Sequence, residues 1–290
     1  MPRSRWLLCL PLLIAMLTAC GGATPAAPAP TSASAPAAMP EPTAAPTATS
    51  GELTVFAAAS LTDAFKQIGE QFGAANGGAI VTFNFAGSDQ LATQINQGAP
   101  ADVFASANKK QMDAVIQAGE IVGGGERTFV RNRLVVIYPK DNPARLAALR
   151  DLANPGVKVV LASKSVPVGA YALDFLAKAS KLPDYTESYS PTVLENVVSY
   201  EENVKAVLSK IMLGEADAGI VYTTDAATIK DGSIGTLDIP DDLNTIASYP
   251  IAATKNAKNA ELAKKFVDFV LSPEGQHILF EYGFISPSGT

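Results

Sequence analysis

Apolar positions along this chain change period repeatedly, and each change marks an element. Leu53-Thr54-Val55-Phe56-Ala57 is a short, almost unbroken apolar run, the pattern of a strand covered on both faces. After Ser60 the spacing lengthens: Leu61, Phe65, Ile68 and Phe72 predict an amphipathic helix over 61–73, ended near Gly77-Gly78. The same alternation recurs down the chain. Strands are predicted over 80–85, 101–105, 134–138, 157–162, 193–199, 218–222 and 249–253. Helices are predicted over 89–97, 109–118, 169–179, 204–213, 258–271 and 274–282, the last with Gly283 as its C-cap.

Alternating strands and helices imply sheets that are mostly parallel, with helices on both faces. The expected architecture is therefore α/β, in two lobes, with the boundary near 130–134 and a return to the first lobe near 249–253. Lobe 1 is expected to take 51–132 plus 250–290, and lobe 2 133–249. Two crossings of this kind make a hinge. No repeat of 20 to 50 residues is visible.

Open parallel sheets bind ligands at the carboxyl ends of their strands. Four strand-to-helix junctions stand out there. At Ala59-Ser60-Leu61, Ser60 is placed as an N-cap with Asp63 three residues on. At Ala86-Gly87-Ser88-Asp89, Gly87 permits a tight turn and Ser88 can cap the next helix. In Val166-Pro167-Val168-Gly169, Pro167 precedes the helix and Gly169 allows close backbone approach. In Glu202-Asn203-Val204, Asn203 is a good N-cap. Two junctions fall in each expected lobe. Four helix N-termini meeting at one cleft would offer unpaired N–H groups and partial positive charge to an anion, with no Arg or Lys required. Each junction alone reads first as an ordinary helix start, where Ser or Asn is usually structural.

The N-terminus carries a different signal. Arg3 and Arg5 precede an apolar run from Trp6 to Leu17, too short to span a bilayer comfortably. Leu17-Thr18-Ala19-Cys20 follows and resembles the lipobox of bacterial lipoproteins. That resemblance implies cleavage after residue 19 and lipid chains on Cys20; an ordinary secretory signal with a chance cysteine is the alternative. Residues 21–50 are almost all Ala, Pro, Thr and Ser, a composition that buries too little to fold and serves as a semi-extended tether. At about 3.1 Å per residue it reaches several tens of ångströms.

Composition narrows the partners. With 48% hydrophobic and 17% charged residues the chain is of globular type, and the part after residue 50 is long enough for two modest lobes. Both cysteines, Cys9 and Cys20, precede the folded part, so disulfides and thiolate metal sites are excluded from it. The formal net charge is -6 with no basic stripe, which excludes nucleic acid. His277 is the only histidine; with no His/Cys cluster and no G-x-S-x-G elbow around Ser60 or Ser88, metal-cation binding and hydrolysis are not expected. Asp102 is expected to bond backbone amides, since a carboxylate beside an anion would repel it.

FAAASLTDAF, FNFAGSDQLATQINQGAPADVFASAN, VPVGAYA, EENVKAV and AGIVYTTDA, in that order across 52–288, resemble the periplasmic molybdate-binding proteins of ABC transporters. The resemblance implies a two-lobed type II periplasmic-binding-protein fold holding molybdate or tungstate between the lobes. It also implies delivery to an ABC permease, no enzymatic activity, no cofactor, a monomer, and an exported, lipid-anchored location. Hydroxyl donors fall on Ser60 and Ser88, backbone N–H donors on Val168 and Val204, and a tyrosine donor on Tyr222. The sequence departs from the family pattern at Gly87, where another serine is frequent, and at Asn203, which replaces an acidic residue. The same fold binding sulfate or phosphate is the competing expectation.

Overall fold

The computed structural model describes residues 51–287. The expected leader (1–19), Cys20 and the tether (20–50) lie outside them. In chain order the elements are β1 (Glu52–Ala58), α1 (Thr62–Ala75), β2 (Ile80–Ala86), α2 (Ser88–Asn96), β3 (Val103–Ala105), α3 (Lys109–Gln117) and β4 (Arg127–Asn132). Then come β5 (Leu134–Pro139), β6 (Val159–Ala162), α4 (Pro167–Ala179), α5 (Tyr189–Glu195), β7 (Val197–Glu201), α6 (Val204–Met212), β8 (Ala218–Tyr222), α7 (Thr223–Ala227) and β9 (Ile234–Asp238). The chain closes with β10 (Ala247–Ala253), α8 (Ala260–Leu271) and α9 (Pro273–Glu281).

The strands form two sheets, ordered β2-β1-β3-β10-β4 and β7-β6-β8-β5-β9. Each is mixed. In the first, β1 pairs in parallel with β2 and β3, whereas β10 runs antiparallel to β3 and β4. The second repeats the arrangement, with β6 parallel to β7 and β8, and β5 antiparallel to β8 and β9. The antiparallel strands are those flanking the crossings, because a chain passing between sheets enters them without a helical return. The first crossing is short, from Asn132 to Leu134; the second runs from Asp238 to Ala247, so β10 starts three residues before the expected return at 250. Asn244 ties the crossings together: its amide oxygen accepts from Leu134 N at 3.0 Å and its amide nitrogen donates to Leu134 O at 2.9 Å.

Burial follows the strand period. Val55, Ala57 and Val103 pack on the face covered by α1 and α8, where Phe65, Phe72 and Phe266 meet edge-on or tilted. Phe56 and Phe104, one residue out of phase, pack with Leu91, Ile95, Met112 and Val115 of α2 and α3 on the other face. This is why β1 lacks an alternating pattern: both its faces are core.

Two sequence expectations change. The apolar stretch 193–199 is not one strand. Residues 189–195 form α5, with Tyr189 and Val193 buried at helical spacing, and the strand begins only at Val197. Pro191 is tolerated because it sits in the first turn, where its missing N–H has no intrahelical partner. Strands β4 and β9 were not expected. Both lie at sheet edges, and β9 is half exposed, so neither carries a continuous apolar run.

Candidate functional site

Ser60, Ser88, Val168, Val204 and Tyr222 all line one small cavity of about 10 Å³ between the two sheets. That is room for one compact group. Its wall is otherwise Ala58, Ala59, Ala86, Gly87, Ala107, Val166, Pro167 and Asn203, with no charged side chain.

The junctions reach this cavity by routes that differ from the simple caps. Ser60 lies inside a short 3₁₀ turn, Ala59–Leu61, and does not cap α1. Its Oγ is instead 2.9 Å from the Tyr249 hydroxyl, and Tyr249 receives Asn132 Nδ2 at 3.4 Å. If Asn132 donates to Tyr249 and Tyr249 to Ser60, the Ser60 proton is left for the cavity. Ser88 is likewise the first residue of α2, with Gly87 at the N-cap, and caps nothing. Its Oγ accepts the buried Ala107 N–H at 2.9 Å, which turns its own O–H outward. Ser88 is thus oriented from behind as a donor, and Ser60 is one when Tyr249 donates to it.

The second lobe contributes backbone. α4 starts at Pro167, two residues before the expected start, and Val168 is its second residue. Gly169 is required: a β-carbon there would overlap the carbonyl oxygens of Ala162 and Ser163. Asn203 caps α6 as expected, its Oδ1 accepting Ala206 N–H at 3.0 Å, which leaves the Val204 N–H, at the first position, without a cap partner. First-turn N–H groups have no intrahelical acceptor, so both valines can present theirs to a ligand.

Tyr222 ends β8 with its side chain buried, and its hydroxyl has no hydrogen-bond partner of good geometry. Burial, then the neighbouring Tyr249 and Tyr171 hydroxyls, push its pKa well above the ordinary tyrosine range. It is a neutral donor at every physiological pH, and an orphaned buried hydroxyl is costly unless something accepts from it.

On α7 lies a group that sequence reasoning missed. Asp225 is fully buried, and Lys205 Nζ stands 3.3 Å from its Oδ1. Burial raises its pKa to about 6 against the lowering pull of Lys205. This value lies above the unfolded 3.8, so holding Asp225 ionised costs stability at neutral pH, and that cost fades as pH falls through about 6. Relative to Asp225→Asn, the wild type is expected to gain up to about 3 kcal/mol in thermal or denaturant unfolding between roughly pH 7.5 and 4. Parallel profiles for the two proteins would contradict it. The only advance signal was the run VYTTDA, which places an acid just after a buried strand.

The remaining sequence-selected residues lie elsewhere. Asp102 is buried and accepts Thr54 N–H at 2.7 Å and Lys258 N–H at 2.6 Å, tying two backbone segments together. The His277 side chain is 74% exposed, 3.4 Å from Glu281 on the same helix. Asp63 does not form a capping box; it reaches Lys205.

Two mixed sheets joined by two crossings, with a small donor-lined cavity where they face each other, define a two-lobed solute-binding protein of the type II periplasmic-binding fold. The chain belongs to the bacterial extracellular solute-binding protein family, whose pattern matches residues 53–285. It is 38% identical over 276 residues to the molybdate-binding protein ModA of Mycobacterium bovis, covering 95% of each chain. Among solved structures it resembles the periplasmic molybdate-binding protein of Azotobacter vinelandii, with a TM-score of 0.70 and 22% identity over 81% of this chain and 99% of that one. The sulfate-binding protein SubI of Mycobacterium tuberculosis superimposes comparably, with a TM-score of 0.73 and 17% identity over 82% of this chain and 87% of that one. At those identities the likeness concerns the fold alone.

Proposed function

We propose that this protein captures molybdate outside the cytoplasm, between its two lobes, and hands it to an ABC permease. The observation that carries this reading is the convergence of five neutral donors on one uncharged cavity, including a buried tyrosine hydroxyl that nothing else satisfies. Ser60, Ser88, the N–H groups of Val168 and Val204, and Tyr222 donate to the four oxygens. Each hydrogen bond to a charged acceptor contributes about 1.5–3 kcal/mol. The N-termini of α2, α4 and α6 add partial positive charge. The 38% identity to a molybdate-binding protein over nearly the whole chain supports molybdate as the particular anion.

Selectivity follows from the chemistry of the shell. A fully deprotonated oxyanion accepts from every donor. Phosphate near neutral pH carries a proton for which the cavity offers no carboxylate, so it is rejected. Sulfate meets the charge requirement and is excluded by its smaller size, whereas tungstate, with the same charge and similar size, is the second cargo. Capture is binding without chemistry: no turnover is expected. The mature protein is a monomer held to the membrane by lipid on Cys20, with residues 21–50 as its tether and the lobes free to reach the permease.

Titration calorimetry of the mature chain with molybdate, tungstate, sulfate and phosphate tests this reading. The expected result is one-to-one binding of the first two, tighter than sulfate by roughly 100-fold or more, about 2.7 kcal/mol. Sulfate binding as tight as molybdate would overturn the assignment.

A further inference from the structure

Several polar contacts cross from one lobe to the other. Gln90 Nε2 lies 3.3 Å from Glu202 Oε2, and Gln111 Nε2 donates to Ser165 O at 3.2 Å, both at the exposed rim. Lys205 is different. Its Nζ donates to Asp63 Oδ2 across the cleft at 2.8 Å while standing 3.3 Å from the fully buried Asp225 of its own lobe. Among the described residues this is the ion pair that spans the cleft. Lys205 directly follows Val204, and Asp63 lies three residues after Ser60. The pair therefore joins the same two chain segments that carry a donor from each lobe.

We propose that Lys205 is a positioning residue for oxyanion binding: anchored on Asp225, it captures Asp63 when the lobes meet and so holds both halves of the donor shell together. This inference rests on the reading of the cavity as an oxyanion site. Asp225 and Lys205 sit in one lobe, on α7 and α6, so their pairing survives opening and keeps the ammonium aimed at the cleft. Asp63 sits on α1 of the other lobe and gains the ammonium only on closure. An interaction made in one state alone shifts the population toward that state. Burial works against the charge on Lys205, but Asp225 and then Asp63 more than offset it and hold its pKa above the ordinary range, so it stays a cation throughout the physiological range. The Lys205 side chain is 25% exposed and that of Asp63 40%, which keeps the contribution modest and salt-sensitive.

The sign of the effect separates this role from simple electrostatics. Asp63 is a negative charge near a site for anions. If it acted only through its field, Asp63→Asn would tighten binding. A latch predicts the opposite. The experiment is molybdate calorimetry and dissociation kinetics on the mature chain carrying Asp63→Asn, which leaves the buried Lys205–Asp225 pair intact, with Lys205→Arg as the conservative partner variant. The expected result is a loss of affinity of roughly 3- to 10-fold for Asp63→Asn, seen mainly as faster dissociation and shrinking at high salt, with ligand-free thermal stability unchanged. Lys205→Arg, which retains charge and reach, is expected to keep most of the affinity. Unchanged or tighter binding by Asp63→Asn, or an affinity loss matched by an equal loss of ligand-free stability, overturns the latch while leaving the oxyanion reading in place. A wild type that binds no molybdate overturns both.

Discussion

Ser88→Ala is expected to weaken molybdate binding by roughly 10- to 150-fold, the equivalent of one charge-assisted hydrogen bond of about 1.5–3 kcal/mol. The same change is expected to lower the stability of the ligand-free protein by about 1–3 kcal/mol, because the buried Ala107 N–H loses the oxygen that accepts it. Ser60→Ala provides the contrast. It removes a comparable donor, so affinity should fall by a similar factor. Its partner, the Tyr249 hydroxyl, keeps the bond it accepts from Asn132 and can turn its own proton to the neighbouring Tyr222 hydroxyl, so ligand-free stability should shift by less than the Ser88→Ala loss. Calorimetry and thermal unfolding of both variants decide the matter. A Ser60→Ala protein that is destabilised yet binds normally would make Ser60 a structural residue of the 3₁₀ turn and remove it from the donor set.

Gly87→Val is expected to lose molybdate affinity by at least roughly 100-fold, about 2.7 kcal/mol, while folding normally. Gly87 has φ −59° and ψ 136°, a conformation open to any residue, so its value does not lie in backbone freedom. What matters is the opposite lobe. A β-carbon at Gly87 would stand 2.5 Å from the carbonyl oxygen of Glu202 and 2.7 Å from Asp89 Oδ1. The Asp89 side chain can move aside, but the Glu202 backbone leads directly into the cap of α6. A bulkier residue therefore holds Val204, and with it Val168 and Tyr222, away from Ser60 and Ser88. The ligand keeps only half its shell. Stability of the free protein should stay within about 1 kcal/mol, since the unfolded chain also loses freedom when glycine is replaced. Small-angle scattering in the presence of molybdate is expected to show a more open particle than the wild type. Normal affinity for Gly87→Val would mean that closure does not bring Glu202 against this turn. The glycine is thus matched to how closely the two lobes approach in this chain.

Much of the fold was legible because it rests on local periodicity. The three- and four-residue spacing of Leu61, Phe65, Ile68 and Phe72 located α1 to within two residues at each end, and the β-branched run Leu134–Tyr138 located β5. β4 and β9, each at a sheet edge, escaped notice because polar and part-exposed positions interrupt any apolar pattern in them. The stretch 193–199 reads as a strand because of its valines, while the helical spacing of Val193 from Tyr189 draws its beginning into α5. Among the site residues, the glycines and serines of the junctions were visible, but their partners were not. Ser60 and Ser88 sit where helix caps belong, and nothing within a few residues indicates that Tyr249 and Ala107 N–H engage them instead.

Taken alone, the amino-acid sequence determined the alternation of strands and helices, the places where each junction meets its helix, and the absence of cysteine and of any His/Cys cluster from the part after residue 50. Those properties depend on residue type and on neighbours a few positions away, which any chain carries with it before it folds. The tertiary structure alone decided that junctions from two lobes meet at one cavity and that Tyr222 is left there without a partner. It also decided that Lys205 bridges acids 142 positions before it and on the neighbouring helix. These outcomes depend on strand order and on the two crossings, which set distances between residues that the sequence separates widely. Ser60 and Tyr249, 189 positions apart, touch only because β10 returns to the sheet that β1 began.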